Sequence, residues 1–206
     1  MYFSANNKLL RRIGHGRQVT AGVQGLVARI KSPDETISGV AWQSAGPYGA
    51  AAVKPLAALM AEDDFELARK ARRGLYKVVR HVGRPGAAKE RKAVERELIT
   101  LLSSSPPQVR REVAWMLSEI GSTRAVMPLA ALLTDKKLRD DARCALTRHP
   151  TPGAVTALKS AFATAPEDFK YALADSLRQR GEKVEGYPSR KLVPVKQTSV
   201  VPPQRK

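Results

Sequence analysis

The sequence predicts an all-α fold, an α-solenoid of about five antiparallel helix pairs followed by a basic, Pro-containing C-terminal tail. Three observations carry this. The stretch PLAAL occurs at residues 55–59 and again at 128–132, with a valine two residues before each Pro and acidic residues closing each segment. Four later segments share an apolar stripe at i, i+4 and i+8, which is one face of a helix. With 43% hydrophobic residues but only 5% aromatics, the core must be mostly Ala, Leu and Val, residues that suit helices packed closely on helices. A helix hairpin of this kind cannot bury its apolar face alone, and stacking repeated hairpins hides it.

The first unit is the loosest: QVTAGVQGLVARI, a break at KSPD, then ETISGVAWQSAG. The second reads AAVKPLAALM, AEDD, then FELARKARRGLYKVVRHVG. The third reads KAVERELITLL, SSSPP, QVRREVAWMLSEIG, with RPGAAKERK ahead of it as an insert. The fourth reads AVMPLAALL, TDKK, LRDDARCALTRH, and PTPG stops it. The fifth reads GAVTALKSAF, ATAPED, FKYALADSLRQRG. Pro, Gly, Ser and Asp punctuate every break. The second helices align on Leu67, Val109, Leu138 and Phe169, then Ala71, Val113, Ala142 and Leu173, then Leu75, Leu117, Leu146 and Leu177, at intervals of 42, 29 and 31 residues. Gly83, Gly121 and Gly181 stand where second helices end, as C-terminal caps do. The repeats therefore occupy residues 17–181. Residues 1–16 read as a basic N-terminal arm or half repeat. Residues 182–206, with four Pro, six basic and two acidic residues, read as an extended basic tail.

Pro55 and Pro128 inside first helices, Asp63 and Asp135 at the inter-helix turns, the pairs Val109–Arg110 and Leu138–Arg139 opening second helices, and the ending AWMLSEIG carry a resemblance. Together they resemble HEAT repeats, of the short HEAT-like kind named after the phycobilin lyases. The resemblance implies a right-handed superhelix with second helices lining its concave side. It also implies an architectural role for Asp135 and Arg139. It does not name a function, because this fold hosts many unrelated ones.

Charge is the strongest compositional signal. The formal net charge of +17 favours an anionic partner, nucleic acid or an acidic protein; the plain alternative is solubility. Residues 63–92 hold ten Lys/Arg against four Asp/Glu. At about 100° per residue, Arg69, Arg73, Lys77, Arg80 and Arg84 fall opposite Ala68, Ala71, Leu75, Val78, Val79 and Val82. They form a basic ridge flanked by Tyr76, or else an ordinary solvated face. Extended across the stack, this face gives one column of Arg69, Arg111, Asp140 and Tyr171 and another of Arg73, Trp115, Cys144 and Asp175. Trp115 lies nearly opposite Val113 and Leu117, so beside Arg111 it either takes a base or protein partner or packs on a neighbouring repeat. The candidate partner-binding residues are thus Arg69, Arg73, Tyr76, Lys77, Arg80, Arg84, Arg111 and Trp115.

No catalytic constellation stands out. His15, His81 and His149 have no carboxylate or nucleophile at fixed spacing. Cys144, the one cysteine, reads as packing filler and precludes an internal disulfide. The turn GRPG follows no strand, so it is not a phosphate loop. The histidines lack the His-Glu pairs of the deoxyhypusine hydroxylases, and Trp42 and Trp115 form no Trp-plus-Asp cluster like that of the HEAT-like alkylpurine DNA glycosylases. The expectation is a non-enzymatic scaffold with no cofactor and no membrane span, in a reducing cytoplasm. A HEAT-like glycosylase or a bilin-lyase-like protein is the alternative.

Overall fold

A computed structural model describes residues 15–189, with side chains from Gly22 onward. Ten α-helices and two short 3-10 segments make up the array, and there is no strand among the described residues. The helices are α1 (His15–Ile30), α2 (Glu35–Gln43), α3 (Val53–Met60), α4 (Phe65–Val82), α5 (Ala88–Ser104), α6 (Pro107–Ile120), α7 (Thr123–Ala131), α8 (Arg139–Arg148), α9 (Pro152–Thr164) and α10 (Glu167–Gln179). The 3-10 segments Gly46–Ala52 and Leu132–Thr134 precede α3 and follow α7. Connections of two to four residues, or seven between α7 and α8 where a 3-10 turn is included, join each first helix to its second, so the partners run antiparallel. The five expected pairs are all present. No helix among the described residues is long and apolar enough to cross a membrane.

Two layers result. The second helices pack in succession, α2 on α4, α4 on α6, α6 on α8 and α8 on α10, and the first helices do the same behind them. The aligned stripe is the spine between the layers. Ala71, Val113, Ala142, Leu173, Leu75, Leu117 and Leu146 are fully buried and Leu177 nearly so. Only Leu67, at the opening of α4, stays half-buried.

The starts of the second helices are fixed in two ways. Asp34 accepts from the backbone N–H of Thr36 and Ile37, and Asp64 does the same for Glu66 and Leu67. Each satisfies donors the first turn leaves free. In α6 the job passes to Pro107 at the first helical position, where a missing N–H costs nothing. The two PLAAL copies are equivalent in the stack but not in backbone. Pro55 sits in the first turn of α3, whereas Pro128 lies inside α7, which soon tightens into 3-10 turns.

Three details of the sequence reading change. The segment taken as an insert is mostly helix: only the turn at residues 83–87 separates α4 from α5, so the 42-residue interval comes from helices of 18 and 17 residues. Of the three cap glycines, only Gly181 uses the left-handed region, at φ 83°. Gly83 has φ −71° and Gly121 φ −64°. Gly121 is small for another reason: a Cβ there would strike the Leu117 carbonyl oxygen and lie 2.8 Å from His149 Nε2. Finally, the segment after Gly181 is extended but seated on the last repeat as far as it is described. Tyr187 packs edge-on against Phe162 and Tyr171, with centroids 5.4 and 5.1 Å apart. Arg178 Nη2 donates to the carbonyls of Val184, Gly186 and Tyr187 at 2.8–3.2 Å. Residues 1–14 and 190–206, most of the N-terminal arm and of the basic tail, lie outside the described residues.

Candidate anion-binding face

Helix α4 positions the ridge because its apolar residues recur with the helical period and its cations fill the other side. Ala71, Leu75, Val78, Val79 and Val82 are buried, while Arg72, Arg73, Lys77 and Arg80 are exposed. At Gly74, α4 lies close to α2, to α3 and to the segment before it: a Cβ there would make ordinary contact with Trp42, Leu56 and Ala45 at 3.6 Å.

The structure divides the expected ridge residues into two groups. Arg69 pairs with Glu66 one turn back on its own helix and is half-buried. Arg84 lies beyond the end of α4, where it pairs with Glu90 of α5 at 2.9 Å and donates to the His81 carbonyl. Arg111 donates to Asp141 at 2.9 Å, and the Trp115 indole N–H donates to the other oxygen of the same carboxylate at 3.0 Å. Trp115 is therefore half-buried against α8, with its indole N–H taken by Asp141.

Arg73, Lys77 and Arg80 form the second group. None has a carboxylate in ion-pair range among the described residues; each lies over an aromatic ring instead. The Arg73 guanidinium is 5.4 Å and the Lys77 ammonium 6.0 Å from the centroid of Trp42, on α2. Arg80 stacks at 5.6 Å over Tyr76. The Tyr76 hydroxyl donates to Glu112 at 3.2 Å. Burial, then the Glu112 charge and hydrogen bond, push the phenol well above its usual range, so it stays a donor.

Two participants escaped the sequence reading. Trp42 lies in the loosest unit, whose register could not be aligned. Arg148 lies 5.3 Å over the ring of Trp115 and has no carboxylate partner among the described residues. It was within reach: carrying Lys77 forward by the intervals 42 and 29 lands on residue 148.

Around this face runs a ladder of ion pairs between neighbouring second helices: Lys70–Glu35 at 2.7 Å, Arg72–Glu112 at 2.9 Å, Arg111–Asp141 at 2.9 Å and Arg139–Asp168 at 2.6 Å. The Arg139 hydrogen bond holds the Asp168 carboxyl below the usual carboxylate range. Arg110 also reaches Asp135, at 3.6 Å, so Asp135 and Arg139 both serve contacts between repeats. No group of three or more His, Cys, Asp and Glu gathers among the described residues. On the opposite layer a cavity of about 550 Å³ opens between α7 and α9, lined by Val126, Met127, Ala130, Leu133, Ala157 and Ala161 among others.

A family model for HEAT repeats matches residues 77–147 and, overlapping, 95–178. No curated protein matches the chain. Among solved structures, two crystal structures of engineered proteins are each 20% identical at TM-score 0.39; they cover 81% and 75% of this chain and 84% and 78% of their own. A designed armadillo repeat protein is 13% identical at TM-score 0.33, covering 76% of this chain and 99% of its own.

Proposed function

For a chain whose residues 77–178 belong to the HEAT-repeat family, we propose a binding module, not an enzyme, that holds a polyanionic partner on the second-helix layer at Arg73, Lys77 and Arg80. One observation carries this. The layer neutralises most of its cations in carboxylate pairs, yet these three, about one turn apart on one helix, have none among the described residues. Charges spaced by about 5–6 Å reinforce one another's field, and a polyanion relieves their mutual repulsion. Arg69, Arg84 and Arg111, tied to Glu66, Glu90 and Asp141, frame the patch rather than contact the partner. A scaffold role fits the titratable groups too. Tyr76, His149 and Asp168 depart from ordinary behaviour, the first two chiefly through burial in the stack and Asp168 through the Arg139 hydrogen bond.

The test is binding of heparin, a generic polyanion, over a salt series. Affinity should fall linearly with salt on logarithmic axes. Arg73→Glu with Arg80→Glu should weaken it more than about 10-fold, while Arg84→Gln changes little. Binding indifferent to salt, or untouched by the double reversal, defeats the proposal.

A further inference from the structure

Resting on that reading, we propose that the polyanion is a single-stranded nucleic acid, gripped by base and phosphate together at two tryptophan–cation pairs. Arg73 and Lys77 of α4 cover Trp42 of the preceding second helix α2. Two helices on, Arg148 of α8 covers Trp115 of α6 in the same sense. Trp42 and Trp115 are the only tryptophans in the chain. Between them Arg80 stacks on Tyr76. Arg73, Lys77, Arg80 and Arg148, which lack a carboxylate partner among the described residues, all sit on aromatic rings; Arg139 on Phe169 and Lys170 on Tyr187 do so too but keep a carboxylate partner.

This pairing selects among polyanions. An acidic peptide would engage the cations and leave the indoles without a role. A duplex offers phosphates but keeps its bases stacked inside. A single strand offers both, a phosphate to draw each cation off its ring and a base to stack in the place so opened, with little demand for sequence. Of the carboxylates near the track, Glu112 is held by Arg72 and Tyr76 and Asp141 by Arg111 and Trp115, while Glu119, whose charge reaches Tyr76, has no ion pair among the described residues. From α2 to α8 there are three steps between neighbouring helices of about 8–10 Å each. A stacked strand advancing about 3.4 Å per nucleotide covers that distance in about eight nucleotides.

The experiment measures anisotropy of fluorescein-labelled dT12, dT4, a 12-base-pair duplex and heparin with the full chain. dT12 should bind more tightly than the duplex. Trp42→Leu and Trp115→Leu should each weaken dT12 about 10-fold or more and leave heparin within about 2-fold. Should either variant lose its helical circular dichroism, exposed Arg148→Ala replaces it, expected to weaken dT12 severalfold and spare dT4, which is too short to reach α8. Unchanged dT12 binding in these variants, equal losses for dT12 and heparin, or preference for duplex overturns the single-strand assignment while the polyanion reading stands. Binding of neither dT12 nor heparin removes both.

Discussion

At the scale of single residues, the tightest point in the array is where Gly121 meets His149. His149 is fully buried at the end of α8; its Nδ1 lies 3.0 Å from the Thr151 hydroxyl and its Nε2 has no partner. Gly121→Ala forces a methyl against that ring and against the Leu117 carbonyl. It should destabilise by about 2–3 kcal/mol, as overpacking does. Gly83→Ala, whose Cβ would meet nothing nearer than 3.4 Å, should be mild. Equal urea midpoints for the two variants would contradict this. Burial pushes the His149 imidazole below its usual range, with the Glu95 charge opposing and the Arg180 charge adding to the shift. The unfolded chain thus takes up a proton near pH 6.5 that the folded chain refuses. Stability present above that pH should drain away as pH falls below it. His149→Gln should remove this slope, measured as the wild-type minus variant difference in thermal midpoint from pH 7.5 to 5. Asp168 contributes in the same direction but lower, as pH drops through the carboxylate range.

At the scale of elements, each repeat is joined to the next by more than its apolar seam. Ion pairs on this surface are worth about 0–1 kcal/mol each, so the ladder sets register more than stability. A second tie is polar and buried: Glu95 of α5 accepts from the Ser122 backbone N–H at 2.6 Å and its hydroxyl at 2.7 Å, at the start of α7. The end of the array has a different device. Tyr187, at φ 45°, holds a conformation rare for a bulky residue. Its hydroxyl donates to Glu167 at 3.2 Å, and its ring sits between Phe162 and Tyr171. Tyr187→Ala should cost about 1–2 kcal/mol and raise amide exchange in α9 and α10, leaving α4–α6 protected. Uniform exchange changes along the array, or none, would show that the strap is not a local clasp.

At the scale of the whole molecule, the spine was legible and the surface was not, for a physical reason. Burial repeats with helical period, so Leu75, Leu117, Leu146 and Leu177 announce themselves along one chain. A surface group's partner lies in another repeat, at a distance set by stacking. That Asp141 would take both Arg111 and Trp115, or that Trp42 would lie under Arg73, follows only once neighbouring helices are in register. The misread insert has a related cause: Ala88–Lys92 is as good a helix start as a linker until α5 is seen to begin there.

The docked strap also fixes the point from which the rest of the chain departs. Ser189 donates to Asp175 of α10 at 3.2 Å, on the layer that carries the tryptophans and their cations. Anything covalently attached at that serine, a fluorophore or an oligonucleotide, is thereby tethered to one side of the molecule. For a ligand so attached the second encounter becomes intramolecular, and weak affinity is amplified by proximity alone.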